Sequence, residues 1–328
     1  MPYLRIAFLL AGVALLALIV RSVDLAEVAR LVTQLGWGLA AVLALYLLAF
    51  VVDTASWQLA LPAAPLTARW LARLWAVRMI GEAFNATLPA GSVGGEPVKA
   101  MLLKRHYDVG YRDATASLIL TRTVNLIALV LFLAVGFGLI LADGRLAFGF
   151  KAAAGAGLAV FAAAILGFFL VQRYRLSSVI AGRASRWRGA RRIAGALEHV
   201  HDIDGRFVRF YAGSPARFSG AAALALFNWV LGAVEVYMVM EFLGHPVGFT
   251  DAWVIEAAAQ LVRTGTFFIP ASIGAQEGAF VVLYAVITGS PTQGVAMALV
   301  RRIREILWIG WGFALGPVVS RTRPVAQG

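Results

Sequence analysis

The chain has no cysteine, only three lysines and few charges of any kind: 14% of its 328 residues are Asp, Glu, Lys or Arg. Without cysteine there is no disulfide, no thiolate nucleophile, no Cys-ligated zinc and no iron–sulfur cluster. A soluble domain carries roughly 25% charged residues, so the deficit argues against a water-soluble enzyme. Catalytic signatures are missing too. No Walker loop, GxSxG elbow or HExxH segment occurs, and neither ATP within this chain nor any metal or other cofactor is expected. What fills the sequence instead is apolar: 61% of residues are hydrophobic and the mean hydropathy is +0.81. Such a chain reads as an all-α polytopic membrane protein, a single integral membrane domain over 1–328.

Basic residues outnumber acidic ones, 29 to 17, for a net charge of +12, and arginine supplies 26 of the 29. In a soluble protein this balance would suggest nucleic acid. Alongside this hydropathy, anionic phospholipid and positively charged cytoplasmic loops account for it, and no nucleic-acid partner is expected.

A helix needs about 20 apolar residues to cross a ~30 Å hydrocarbon layer. Six runs qualify: 4–20, 37–61, 114–141, 147–171, 218–243 and 295–319. The first follows Arg5 and lacks a small-residue cleavage site, so it reads as a retained anchor. The loop 172–217 carries ten arginines against Glu198, Asp202 and Asp204, and the positive-inside rule places it in the cytoplasm. Counting spans from it puts both termini in the cytoplasm. An inner-membrane location follows, with the basic loop against anionic phospholipid.

Two further apolar segments are interrupted. One contains NATLPAGSVGGEPVK over 85–99, the other TFFIPASIGAQEGAF over 266–280. Pro89 and Pro270 remove a backbone donor, and the neighbouring glycines surrender backbone order, so each segment predicts two half-helices meeting at a break. The breaks are related. Glu96 follows Pro89 by seven residues and Glu277 follows Pro270 by seven, an offset of 181 between copies. That offset also carries Trp37 onto Phe218 and Arg112 onto Gln293; an offset of 180 carries Arg122 onto Arg302 and Asn125 onto Glu305. Span, re-entrant hairpin, span therefore occurs over 37–141 and again over 218–319. The topology count inverts the second copy relative to the first, an arrangement used by secondary transporters.

Asp53, Arg122, Glu235, Glu256, Arg263 and Arg302 lie well within apolar runs. Facing lipid, these six would cost roughly 15–20 kcal/mol at ~2.5–3.5 kcal/mol each, so they must meet one another or a wet cavity. Helical spacing places Glu256, Gln260 and Arg263 on one face, and likewise Arg78, Glu82 and Asn85, and Arg301 with Glu305. Buried ion pairing is one reading; a polar cavity in which Arg122, Arg263 and Arg302 meet a phosphate is the other. At the first break, Gly94, Gly95, Glu96 and Pro97 read as a helix start whose free N–H groups attract an anion. Glu96 and Glu277 read either as caps or as protonatable transport groups.

Two other signals carry little. The HVHDID cluster at 199–204 has the look of a metal site, but its loop is too short for a catalytic domain and reads as a solvated amphipathic helix. Asn85-Ala86-Thr87 matches a glycosylation acceptor at a membrane-buried break.

The N-x3-P-x4-GGE stretch from Asn85 and the later Pro270-Ala271-Ser272-Ile273-Gly274 with Glu277 resemble the lysylphosphatidylglycerol synthase transmembrane family, described as flippase-like. Within it the sequence is most similar to the hopanoid-biosynthesis-associated members. The resemblance covers nearly the whole chain. It implies movement of a polar or anionic lipid between leaflets or out of a bacterial inner membrane, with Asn85, Pro89, Gly94, Gly95, Glu96, Pro270, Gly274 and Glu277 as motif residues. It also implies that no lysyl transfer occurs here, since no aminoacyl-transferring domain follows the last span. On this reading the protein is a transporter and not an enzyme, and Arg122, Arg302, Arg263, Asn85, Gly94, Gly95, Glu96, Gly274 and Glu277 bind the lipid headgroup. A lipid-modifying transferase or hydrolase with Glu96 or Glu277 as base is the alternative, as is a scaffold of a lipid-synthesis complex. Homo-oligomerisation stays open.

Overall fold

A computed structural model describes residues 30, 33–87, 94–144, 146–173, 213–265 and 275–321. Among these, all regular structure is helical. The elements are α1 (Gly38–Ala60), α2 (Ala68–Thr87), α3 (Glu96–Tyr107), α4 (Tyr111–Ala142), α5 (Phe148–Arg173), α6 (Pro215–Phe242), α7 (Phe249–Gly265), α8 (Ala275–Thr288) and α9 (Pro291–Arg321). Five expected spans match α1, α4, α5, α6 and α9; helix is the conformation that satisfies every backbone group of a long apolar segment in lipid. The first expected span, 4–20, and most of the basic loop lie outside the described residues.

Three helices, α1, α4 and α6, are long and apolar enough to cross a membrane. Helix α9, at 31 residues against 32 in α4, carries Arg301, Arg302, Arg304 and Glu305 near its middle. Helices α3 and α8 have 12 and 14 residues and rise about 18 and 21 Å, short of a ~30 Å hydrocarbon core. Each lies beyond one of the interruptions expected at 85–99 and 266–280. Pro89, Pro270 and Gly274 themselves fall outside the described residues.

Helix ends follow local chemistry. Proline occupies the first turn of α3 and of α6, where its missing N–H breaks no hydrogen bond. Helix α6 stops at Gly244, whose φ of +77° lets the chain reverse while His245 N–H donates to the Met240 carbonyl.

The helices fall into two quartets, α1–α4 and α6–α9, with matching neighbours. Within each, the first helix packs on the second, the second on the third and the third on the fourth. Between quartets, α2 packs on α9 and α7 on α4, the same pairing with the quartets exchanged, whereas α6 also packs on α4 without an equally extensive α1–α9 counterpart among the described residues. Phe84 and Phe313 meet at 5.4 Å in the first contact; Phe132 and Trp253 stack at 4.7 Å in the second. Helices α1 and α6 form the central seam and run antiparallel. Trp37 sits 4.9 Å from Phe242 at one end, and Ser56 Oγ donates to the Ala221 carbonyl at the other. Helix α5 belongs to neither quartet and lies against α4 and α7.

Candidate functional site

Between the quartets lies a cavity of about 500 Å³. Its wall draws on α1, α2, α3 and α4 from one side and α6, α7 and α9 from the other. The lining includes six cationic residues (Arg78, Lys99, Arg122, Arg263, Arg301, Arg304) and six acidic ones (Asp53, Glu82, Glu96, Glu235, Glu256, Glu305). The wall is therefore charge-balanced, where arginine content alone suggested a predominantly cationic chamber.

The first quartet builds its half of the wall from a close helix crossing. A side-chain carbon added at Gly95 would collide with the Gly81 backbone carbonyl, and one at Gly81 with the Lys99 stem. Two glycines thus let α3 press onto α2, and Lys99 reaches across to Glu82 at 2.6 Å while holding Glu96 at 3.0 Å. Asn85 links the pieces. Its Nδ2 donates to Glu82 and, at 3.4 Å, to Glu96, and its Oδ1 accepts the Gly95 N–H at 2.6 Å. At the helix start expected to bind an anion, the N–H of the cap residue Gly95 is thus already taken by Asn85. Asp53 of α1 pairs with Arg78 of α2, whose guanidinium lies 5.1 Å from the Phe50 ring. Arg122 of α4 approaches Glu96 at 3.3 Å with its side chain 49% exposed.

The second quartet holds its charges more deeply. Arg301 pairs with Glu256 and lies 3.4 Å from Glu235; Arg304 pairs with Glu235 and sits 3.8 Å over the Tyr46 ring. Gln260 donates to Glu256 at 2.7 Å, one turn away on the face expected for Glu256, Gln260 and Arg263. Arg263 is exposed and lines the cavity. Arg302 is 5% exposed, paired with Glu277 and held by Glu305 at 2.9 Å. Burying Glu235, Glu256, Arg301, Arg302 and Arg304 is tolerable because each is ion-paired, although Arg301 Nε and Arg304 Nε keep no hydrogen-bond partner among the described residues.

The candidate residues thus divide. Asn85, Glu96, Arg122 and Arg263 share the cavity wall; Arg302 and Glu277 pair with each other and are not among its lining residues. Gly94 and Gly95 form the turn ahead of α3, and Gly95 acts through helix packing. Gly274 is outside the described residues. Sequence reading missed Lys99 and Arg304 as wall residues. Both left a signal: Glu96 and Lys99 are three apart, and so are Arg301 and Arg304, which marks one helical face in each case.

One pairing recurs. Glu96 of α3 with Arg122 of α4, and Glu277 of α8 with Arg302 of α9, occupy corresponding places in the two quartets. Both pairs are formed and they differ in which member is exposed: Arg122 at 49% against Glu96 at 18% in the first, Glu277 at 34% against Arg302 at 5% in the second.

The family model described as lysylphosphatidylglycerol synthase TM region matches residues 4–311. No curated protein matches the chain, and no solved structure does.

Proposed function

Because the chain belongs to the lysylphosphatidylglycerol synthase transmembrane-region family, we propose that it translocates a polar-headed membrane lipid, a phospholipid or a hopanoid, between leaflets or out of the membrane. The headgroup enters the cavity between the quartets while the tails stay in the bilayer. The single observation that carries this reading is a hydrated-size cavity walled by balanced charges at the centre of a chain otherwise apolar. A merely structural ion-pair cluster needs no such space.

In this proposal the quartets are inverted repeats and the two interrupted segments are re-entrant hairpins. The antiparallel seam of α1 with α6, the exchanged contacts α2–α9 and α7–α4, and the recurring Glu–Arg pair support it. Alternation then consists of exchanging which arginine of the two pairs is exposed, Arg122 in the described state and Arg302 in the other. The protein acts as a transporter without bond-making chemistry on the lipid, since Glu96 and Glu277 each engage cations. It sits in a bacterial inner membrane with both termini cytoplasmic, and the basic loop 172–217 contacts anionic phospholipid; the arginine excess of that loop supports this orientation.

Reconstitution in liposomes tests the reading. Labelled lipid should cross between leaflets faster than in protein-free vesicles, and Arg122→Ala or Glu96→Gln should slow it about tenfold or more. Unchanged rates in both variants, or no acceleration for any lipid, overturn the mechanism.

A further inference from the structure

Around the recurring pair the two copies are built with opposite excess. In the first, one carboxylate oxygen is shared by two cations: Glu96 Oε1 meets Lys99 at 3.0 Å and Arg122 at 3.3 Å, with the Asn85 amide at 3.4 Å. In the second, one cation is shared by two carboxylates. The Arg302 guanidinium pairs with Glu277 through one terminal nitrogen and with Glu305 at 2.9 Å through the other. The repeat offsets locate the difference. An offset of 181 sets the fully buried Phe280 where the first copy has Lys99, and an offset of 180 sets Glu305 where it has the neutral Asn125.

This asymmetry matters once the arginines trade exposure, as the proposed alternation requires. Glu96 keeps Lys99 whichever way Arg122 turns. Glu305 is served differently, since its ion pair among the described residues is with Arg302. An Arg302 turned outward to hold Glu277, as Arg122 now holds Glu96, leaves Glu305 behind as a 15% exposed carboxylate in an apolar chain. Such a group is more cheaply neutralised than kept ionised. Asn125 shows what the corresponding place carries beside an exposed arginine: a neutral side chain, which a protonated Glu305 also is.

The surroundings supply a route and little competition. Glu305 lines the cavity, so water there reaches the oxygen that Arg302 vacates. On α9, Arg304 is taken by Glu235 of α6 and sits over Tyr46 of α1, and Arg301 is taken by Glu256. On α2, Arg78 is taken by Asp53, and Glu82 by Lys99. Glu277 of α8 shares Arg302, and Arg263 of α7 is the exposed cation of that wall.

From this we infer that Glu305 is the proton-coupling residue of the cycle. It takes a proton from cavity water as Arg302 turns outward and returns it to water when the Arg302–Glu305 pair re-forms, while the first copy cycles without one. Uptake and release fall in states open to opposite sides, so one proton crosses per lipid moved. The inference rests on the translocation reading for its cycle, but protonation of Glu305 is measurable with no lipid moving.

Two measurements on the full chain test it. The first follows fluorescent phosphatidylglycerol and phosphatidylethanolamine in vesicles with the membrane potential clamped. Each unit of imposed pH gradient should shift the steady-state ratio of probe between leaflets about tenfold. A protonophore should abolish the shift, and Glu305→Gln, which fixes the neutral form, should lose it. The second treats the protein in detergent with a hydrophobic carbodiimide, which adds to protonated carboxyls in apolar surroundings, and reads each site by peptide mass spectrometry. Labelling of Glu305 should rise from about pH 8 to about pH 6, while Glu235 and Glu256 stay unlabelled in their ion pairs. A leaflet ratio that ignores the pH gradient, that follows a sodium gradient instead, or that responds equally in Glu305→Gln overturns the coupling and leaves translocation standing. Labelling of Glu305 without accelerated movement of either probe supports the proton site and overturns translocation of phospholipid. If Arg263 takes Glu305 over in place of a proton, Glu305 stays unlabelled throughout and the inference falls, whether or not Glu305→Gln moves lipid.

Discussion

Glu235 and Arg304 are each almost fully shielded, and each pairs with the other across α6 and α9. Removing one partner strands a charge, so Glu235→Gln alone should destabilise by about 3–5 kcal/mol, and adding Arg304→Met should recover part of that loss. Thermal unfolding of the single and double variants in detergent reads the coupling directly; an additive double variant would show that the pair is not the source. Gly95 poses a different constraint. Its neighbour is the backbone carbonyl of Gly81, which cannot rotate aside as a side chain would. Gly95→Ala should therefore cost about 1–3 kcal/mol and appear as a lowered Tm, whereas Gly138→Ala, with open space around it, should be near neutral. The intramembrane charges were legible from their setting in apolar runs, and so was the need to pair them. Which arginine meets which carboxylate was not: Arg301, Arg302 and Arg304 are consecutive enough that only the rotation of α9 sends Arg302 to Glu277 and its neighbours to Glu256 and Glu235.

Helix limits were read closely where the signal was continuous. The expected 37–61 became Gly38–Ala60, and 218–243 became Pro215–Phe242. Helix α9 begins earlier than its apolar stretch, at Pro291, because proline suits a first turn and the polar residues after it cost nothing there. Packing partners were hidden, since lipid-facing and helix-facing surfaces of a span are equally apolar and carry no direction. The contact of α2 with α9 illustrates this: Phe84 and Phe313 mark it, yet neither differs in type from the exposed Phe227. If the quartets move against each other during transport, this contact must change. Replacing Phe84 and Phe313 with cysteine and bridging them with a short reducible bis-thiol cross-linker should then halt lipid movement, and a reductant should restore it; unaltered rates after complete cross-linking would mean that α2 and α9 move together.

The offset of 181 residues made the correspondence of the two quartets visible before any coordinates, through Glu96 with Glu277 and through Arg122 with Arg302. Inversion is an expectation from the positive-inside count; the structure adds an antiparallel seam of α1 with α6, Trp37 against Phe242 at one end and Ser56 against Ala221 at the other. The two-fold relation of the proposed inverted repeat would map this seam onto itself. If the proposed rearrangement trades the roles of the two halves, the seam serves as its fulcrum, the line about which everything else tilts and which itself stays put. A covalent clamp there, between cysteines at Trp37 and Phe242, should leave the protein working at an undiminished rate. Because the native chain offers no thiol of its own, the clamp would form in one place only.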